Sequence, residues 1–346
     1  MNQASTLPNS GLPNAGTIEQ ELILKPAGFK EYIAIMRPDH WFKNIFMLPG
    51  MVFAFLVYHT TLDLTLLLRI IVGIVSTCLI ASANYVINEY LDAEFDRFHP
   101  EKKKRTAVVS VLNPLYVYTE YFFLVAIGLT LSYFISLQFL ALEAFLLFMG
   151  IMYNVRPFRT KERVYLDVLS ESVNNPIRLA LGWFIFVPTA LLPASLLDPA
   201  WVIIPPTSII LAYWMGGAFL MATKRFAEYR YINNPELAGL YRKSFKYYTE
   251  NSLLISMFFY ALTSAFFLGI FLIKNRIELL ISFPFFALLF AWYLGIGLRK
   301  DSVVQGPEKL HKEKWFMLYV VLFTLLLMGL MYIDIPSLNW FLKQSF

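Results

Sequence analysis

From Asn44 onwards the chain alternates long apolar runs with short polar clusters. With about 20 apolar residues taken as one membrane crossing, the pattern predicts nine spans: Asn44 to Tyr58, Leu66 to Leu91, Val117 to Leu137, Phe139 to Val155, Tyr165 to Leu192, Val202 to Thr223, Leu253 to Ile273, Leu279 to Leu298 and Phe316 to Ile335. Pro49, Pro205 and Pro206 are expected to kink their spans, a distortion that neighbouring helices can absorb. Over residues 23–43 the pattern becomes amphipathic, with Ile23, Leu24, Phe29, Tyr32, Ile33 and Ile35 set among Lys25, Lys30 and Glu31, which predicts an interfacial segment. Residues 1–22 are rich in Asn, Ser, Thr, Gly and Pro without periodicity and are expected to form a disordered tail. They lack the basic start and apolar core of a secretory signal. The predicted fold class is all-α: a polytopic membrane protein whose nine transmembrane helices, over residues 44–346, bundle around a central cytoplasm-facing cavity.

Composition agrees. Of 346 residues 58% are hydrophobic and 15% charged, against about 25% charged in soluble domains. Phe and Tyr are abundant, but the ten-residue alternation of a membrane barrel is missing. The single cysteine, Cys78, excludes an intramolecular disulfide and a thiolate cluster. The net charge of +5 matters less than where the cations fall. The loops after spans two, four, six and eight, beginning at Arg97, Arg156, Lys224 and Arg299, hold five, four, six and five Lys or Arg, and the loops between them hold few. With Lys25, Lys30, Arg37 and Lys43 ahead of span one, the positive-inside rule places the N-terminus in the cytoplasm and the C-terminus outside. The basic charge is thereby accounted for by topology, and nucleic acid is not an expected partner.

Candidate chemistry lies where polar residues enter the spans. Asn84, Asn88, Asp92 and Asp96 recur every four residues at the end of span two, forming one drifting helical stripe. Carboxylates so placed repel each other, and each costs about 3 kcal/mol near the hydrocarbon. A divalent cation would offset both effects, and the absence of His or Cys from the stripe points to a hard cation with oxygen ligands. Asp167, Glu171, Asn174 and Arg178, with Asn175 and Pro176 beside them, form a second stripe at the start of span five. Both stripes would enter from the cytoplasmic side and meet. Such a site, holding Mg2+, suits a phosphate-bearing ligand. The neighbouring Lys102 to Arg105, Lys161, Lys224 and Arg225 could clamp phosphoryl oxygens.

Several of these segments resemble a known family. Asn88-Glu89-x-x-Asp92-x-x-x-Asp96, the acidic motif from Asp167 and the nine spans are similar to the UbiA superfamily of intramembrane prenyltransferases, over nearly the whole chain from about Ile33. The segments Arg37-Pro38-Asp39-His40-Trp41-Phe42-Lys43-Asn44, Asp92 to Pro100, and Lys224-Arg225-Phe226-Ala227-Glu228 resemble the decaprenyl-phosphate phosphoribosyltransferase branch. The chain departs from the family pattern at Glu89, where Asp is usual, at Thr106, where Pro is usual, and at Glu171, a longer second carboxylate. The resemblance implies that Asn88, Glu89, Asp92, Asp96, Asp167 and Glu171 are the metal ligands and that Asp92, Asp96, Asp167 and Glu171 are catalytic. It also implies substrate contacts from Asn84, Asn88, Lys43, Arg105, Tyr153, Lys161, Asn175, Arg178, Lys224 and Arg225.

The expected activity is a Mg2+-dependent transfer with a diphosphate leaving group and a polyprenyl lipid substrate. Phosphoribosyl transfer from 5-phosphoribosyl 1-diphosphate to a polyprenyl phosphate, a step toward the bacterial cell wall at the inner membrane, ranks first. Prenyl transfer to an aromatic acceptor is the alternative. Intramembrane carboxylates also occur in ion-coupled transporters, but those sites usually sit near the midplane within inverted repeats. No inverted repeat is evident here.

Overall fold

The computed structural model describes residues 25–188 and 204–338. The tail over residues 1–22, and the residues from 189 to 203 where span five would end and span six begin, lie outside the described residues. The chain forms helices α1 (Phe29–Ile35), α2 (Leu48–Tyr58), α3 (Leu64–Asp96), α4 (Thr106–Val109), α5 (Pro114–Tyr133), α6 (Leu137–Asn154), α7 (Leu166–Ser172), α8 (Asn174–Phe186), α9 (Thr207–Ile232), α10 (Pro235–Tyr241), α11 (Glu250–Asn275), α12 (Phe283–Gly297) and α13 (Lys314–Tyr332). A two-residue parallel pairing of Lys25–Pro26 with Ser110–Val111 ties the start of the described chain to the loop after α3.

Local chemistry sets the ends of these helices. Asp63 caps α3 by accepting from the Leu66 amide (2.7 Å), Ser136 caps α6 through the Phe139 amide (3.1 Å), and Thr249 with Ser252 forms a capping box on α11. Three residues, Phe134 to Ser136, turn the chain from α5 into α6.

Seven described segments are long and apolar enough to cross a membrane: Phe29–Tyr58, Leu64–Asp96, Pro114–Tyr133, Leu137–Asn154, Glu250–Asn275, Ile277–Gly297 and Lys314–Tyr332. The first joins α1, a 3-10 stretch over Pro38–Met47 and α2, so the amphipathic segment expected over residues 23–43 is continuous with span one. The expected fifth and sixth spans correspond to α7–α8 and α9. These are the inner helices, and every residue from Asn175 to Phe186 in α8 is buried.

The prolines act differently from expectation. Pro49 sits at the first turn of α2, and Pro205 and Pro206 precede α9, where a missing amide is tolerated, so all three mark helix starts. The break within span five falls at Val173, between α7 and α8. Pro176 has no amide to bond the Ser172 carbonyl one turn back, so the helix is interrupted there.

Two large core clusters divide the bundle, and a smaller third, around Leu179, Ile209, Leu268 and Leu330, joins α8, α9, α11 and α13. The first large cluster gathers α2, α3, α5, α6 and α8, with Ile80, Val86, Phe139, Leu146, Leu181 and Ile185 at its centre. The second gathers α9 to α13 around Phe219, Phe226, Phe245, Leu253 and Ile296. Helices α2 and α8 cross at backbone contact: a Cβ on Gly50 would lie 1.9 Å from the Leu179 carbonyl oxygen, and one on Gly182 would lie 2.0 Å from that of Met47. Small residues at helix crossings are how bilayer proteins gain packing. Inside the first cluster, Thr77 Oγ1 of α3 lies 2.5 Å from the buried Glu143 Oε1 of α6. The space between the two large clusters opens at the end where the cation-rich loops gather.

Candidate active site

A cavity of about 770 Å3 lies between the two large clusters. One wall is the stripe on α3: Ala81, Asn84, Asn88, Asp92 and Asp96 line it, and the 12 residue steps from Asn84 to Asp96 rise by about 18 Å. The opposite wall comes from α9, whose Leu220, Met221, Lys224 and Arg225 line it, while Glu171, Asn174, Asn175 and Arg178 come from α7 and α8. With 26 residues, α9 is about 39 Å long, more than the hydrocarbon thickness, so its last turns carry charge beyond the bilayer.

The α3 carboxylates are clamped by loop cations. Arg159 Nη2 donates to Asp92 Oδ1 (3.0 Å), and Lys161 Nζ holds the same oxygen. Asn88 Nδ2 donates to Asp92 Oδ2 (3.2 Å) and to Asn154 Oδ1 (2.6 Å). Arg105 Nη1 donates to Asp96 Oδ2 (2.6 Å). Arg159 adopts left-handed backbone (φ 33), a conformation that persists for a non-glycine residue only where surrounding contacts fix it. Its guanidinium also donates to the Asn154 carbonyl (3.0 Å) and to Glu162 (2.6 Å). Burial pushes the Lys161 ammonium down to about 8, against the opposing attraction of Asp92.

On the facing side Glu171 accepts from Tyr153 (2.8 Å) and pairs with Arg225, with Lys224 at 3.8 Å. Arg178 donates to Asn44 Oδ1 (3.0 Å) and to the Asn174 carbonyl, and it has no carboxylate partner among the described residues. Lys43 sits over the Tyr85 ring (5.4 Å). Asn84 and Asn175 are held against helix backbone: a Cβ on Gly150 would strike the Asn84 side chain, and one on Gly217 the Asn175 amide. Those glycines are the space in which the two amides sit.

Most of the expected site residues therefore converge, and two do not. Asp167 is fully buried behind the cavity wall, accepting from Tyr248 (2.7 Å) and Ser244 (3.1 Å) with Arg225 at 3.5 Å. Its neighbours use both oxygens to lock α7 to α9 and the loop after α10. Glu89 points off the stripe, buried near the Ala107 amide (3.5 Å) and away from the cavity. It is one residue past Asn88, which rotates its side chain about 100° around the helix. Both corrections follow from orientation, which a motif does not specify.

Other participants emerged only from the fold. Arg242 reaches Tyr153 (3.3 Å) and the Lys161 carbonyl (3.4 Å) from the end of α10. Glu228 pairs with Lys102 (2.7 Å) and Arg225 (2.8 Å), and Lys102 also holds the Tyr241 hydroxyl. His99 accepts the Glu101 (3.1 Å) and Lys102 (3.2 Å) amides on Nδ1, and burial pushes the imidazole down to about 3, so it remains neutral and fixes the turn carrying Lys102. Glu228 and His99 stand in the motifs of the sequence, whereas Arg242 has no periodic signal.

No group of three or more His, Cys, Asp or Glu side chains that could hold one ion is present among the described residues. The oxygen donors Asn88, Asp92 and Asp96 on one helix face still fit Mg2+, which usually takes one or two protein carboxylates and completes its shell with phosphate oxygens and water.

The UbiA prenyltransferase family profile matches residues 46–310, more than half of the chain. The chain belongs to the UbiA family. Among curated UbiA relatives, a decaprenyl-phosphate phosphoribosyltransferase of Mycolicibacterium smegmatis is 27% identical over 224 residues, 64% of this chain and 63% of that protein, so the match spans less than two thirds of that relative's length. An uncharacterized protein of Sinorhizobium fredii is 24% identical over 155 residues, 44% of this chain and 28% of that one. A UbiA homolog from Archaeoglobus fulgidus, solved bound to GPP and Mg2+, superposes with a TM-score of 0.60 at 18% identity, covering 88% of this chain and 100% of that one. One bound to DMAPP and Mg2+ aligns at 0.60 and 17%, with the same coverage. At these identities the solved structures establish the fold, an all-α membrane bundle of UbiA type.

Proposed function

We propose that this UbiA-family protein transfers phosphoribose from 5-phosphoribosyl 1-diphosphate to a polyprenyl phosphate, with Mg2+, on the cytoplasmic side of a bacterial inner membrane. The observation that carries this reading is the charge of the cavity, which is lined by eleven Lys or Arg and five Asp or Glu. A cavity with that surplus suits two phosphate-bearing substrates at once, a sugar phosphate with a diphosphate and a lipid monophosphate. A prenyl diphosphate paired with an aromatic acid brings less negative charge. The name of the M. smegmatis relative supports the same choice. The GPP and DMAPP held by the archaeal homologs favour prenyl transfer as the second reading.

In this mechanism Asn88, Asp92 and Asp96 would hold Mg2+, which would supply charge neutralisation for the departing diphosphate. Lys161, Arg159 and Arg105 exchange part of their pairing with the α3 carboxylates for phosphate oxygens. Arg178, which has no carboxylate partner among the described residues, and Lys224 bind the anionic groups of donor and acceptor. The lipid phosphate is already anionic, so its attack on C1 of the ribose needs no strong base. Glu171 orients Tyr153 and Arg225 at the wall facing Asp92. Phe42, Phe46, Leu220, Met221 and Phe316 form the apolar part of the lining, where they would hold the isoprenoid chain and keep water from the cation that develops at C1.

The test is to incubate purified protein in detergent with Mg2+, labelled phosphoribosyl diphosphate and decaprenyl phosphate. A labelled lipid that disappears on chelation is the expected product. Label incorporated only when a polyprenyl diphosphate and an aromatic acid are supplied would replace this reading with the second.

A further inference from the structure

A second concavity, of about 560 Å3, opens on the cation-rich end of the bundle beside the cavity mouth. Five of its nine lining residues are Lys or Arg and one is acidic, Glu162. Glu162 is already committed, accepting from Arg159 (2.6 Å) and from Lys243 (2.8 Å). Arg156, Arg163 and Lys246 are exposed and form no ion pair among the described residues. Positive-inside topology accounts for cations in such a loop, but not for a concave cluster with apolar rings on its rim. Phe158 is 48% exposed and Tyr247 75% exposed in the pocket, with Tyr165 and Leu166 exposed close by in the chain. Aromatic rings beside unpaired Lys and Arg are the chemistry of a bilayer interface, where rings sit at headgroup depth and cations meet lipid phosphates.

We infer that the pocket formed by Arg156, Phe158, Arg163, Lys246 and Tyr247 binds the headgroup of an anionic phospholipid. A free phosphate ion would use the cations alone and leave the exposed rings without a purpose, whereas a lipid occupies both. The pocket shares Arg159, Glu162 and Lys243 with the main cavity, and Arg159 also holds Asp92 (3.0 Å). A headgroup drawing on Arg159 would thus be felt at Asp92 through that one side chain, and one drawing on Lys243 through Glu162 and Arg159. The inference does not depend on which transfer reaction the cavity performs.

The test measures binding alone, by thermal unfolding of the full chain in neutral detergent titrated with phosphatidylglycerol, with phosphatidylcholine, or with inorganic phosphate. Phosphatidylglycerol is expected to raise the Tm saturably, while phosphatidylcholine and phosphate leave it unchanged. The double variant R163E/K246E should raise the half-saturating lipid concentration by about tenfold or more, because each interfacial cation contributes about 1 kcal/mol toward an anionic surface. Two controls isolate the site: K103E/K104E reverses exposed cations elsewhere on the same end, and Lys224→Ala alters the main cavity. Both should keep the wild-type response. An equal loss in K103E/K104E would reduce the effect to general surface charge, a loss in Lys224→Ala would move the lipid into the main cavity, and protection by inorganic phosphate would replace the lipid with a free ion. Each of these results overturns the proposal. If R163E/K246E unfolds before titration, R163Q/K246Q serves in its place, with the same shift in half-saturation deciding the outcome.

Discussion

The acid-bearing faces of α3 and α7 differ in what holds their carboxylates. On α3, Asp92 and Asp96 line the cavity and are met by cations from the connecting loops, Arg159 and Lys161 after α6 and Arg105 after α3. On α7, Asp167 is fully buried and is met by Tyr248 and Ser244 from behind the wall and by Arg225 of the α9 wall itself. Only Glu171, one turn further along, returns to the cavity. The same four-residue spacing therefore builds two devices. One presents exchangeable carboxylates to a ligand, and the other uses a carboxylate as an internal tie that keeps Arg225 and α9 in place so that Glu171 can face the site.

Four experiments would break or sharpen that contrast. The largest effect is expected at the tie. Asp167→Ala removes one of the three carboxylates around the buried Arg225 and leaves the Tyr248 and Ser244 hydroxyls without their acceptor. It should destabilise the fold by about 3–5 kcal/mol, read as a drop in Tm in detergent. A variant that melts like wild type would dissolve the distinction between the two helices. At the cavity, Asp92→Asn should lower turnover by about a hundredfold or more, the scale seen when one preorganised electrostatic group is removed from a reacting centre. Its Tm should fall less than that of Asp167→Ala, because Asp92 lines the cavity rather than lying behind its wall.

A smaller, pH-dependent effect belongs to Lys161. Burial sets its ammonium near pH 8, so the rate should decline as pH rises through about 8, when the charge that meets Asp92 and the phosphates is lost. The stability sign is opposite. Between about pH 8 and the ordinary lysine value near 10.4, the unfolded chain binds the proton that the folded chain has released, so this group's contribution to stability rises with pH over that window. Lys161→Arg, which stays charged, should remove the alkaline decline in rate. A pH profile unchanged by that substitution would exclude Lys161 as its source. The smallest effect is expected at Glu89, whose carboxylate lies off the cavity: Glu89→Gln should retain turnover within about threefold, well inside a single lost hydrogen bond, and a loss comparable to Asp92→Asn would return Glu89 to the metal site.

Much of the bundle and the whole α3 stripe were readable from the chain. Hydrophobic run length located α3, α5, α6, α11, α12 and α13 to within a few residues, and a spacing of four is sufficient to align Asn84, Asn88, Asp92 and Asp96. Three kinds of information were not readable. Length alone does not reveal that Pro176, rather than Pro205 or Pro206, interrupts a helix, because the effect depends on whether the carbonyl one turn back needs the amide that proline lacks. Spacing does not tell which acid of a ladder faces a cavity, since that depends on the rotation of α7 against α9. Arg242 and Glu228 join the site through contacts across 81 to 126 residues, which local periodicity does not encode; Arg242 bonds Tyr153 across a separation of 89 residues and Glu228 pairs with Lys102 across 126.

Manganese binding followed by electron paramagnetic resonance tests the central claim most directly, with Mn2+ replacing Mg2+ on purified protein. Tight binding should appear only when a diphosphate is added and should vanish in Asp92→Asn. Tight binding without diphosphate, or binding that survives Asp92→Asn unchanged, would contradict a site in which α3 and the ligand hold the ion together.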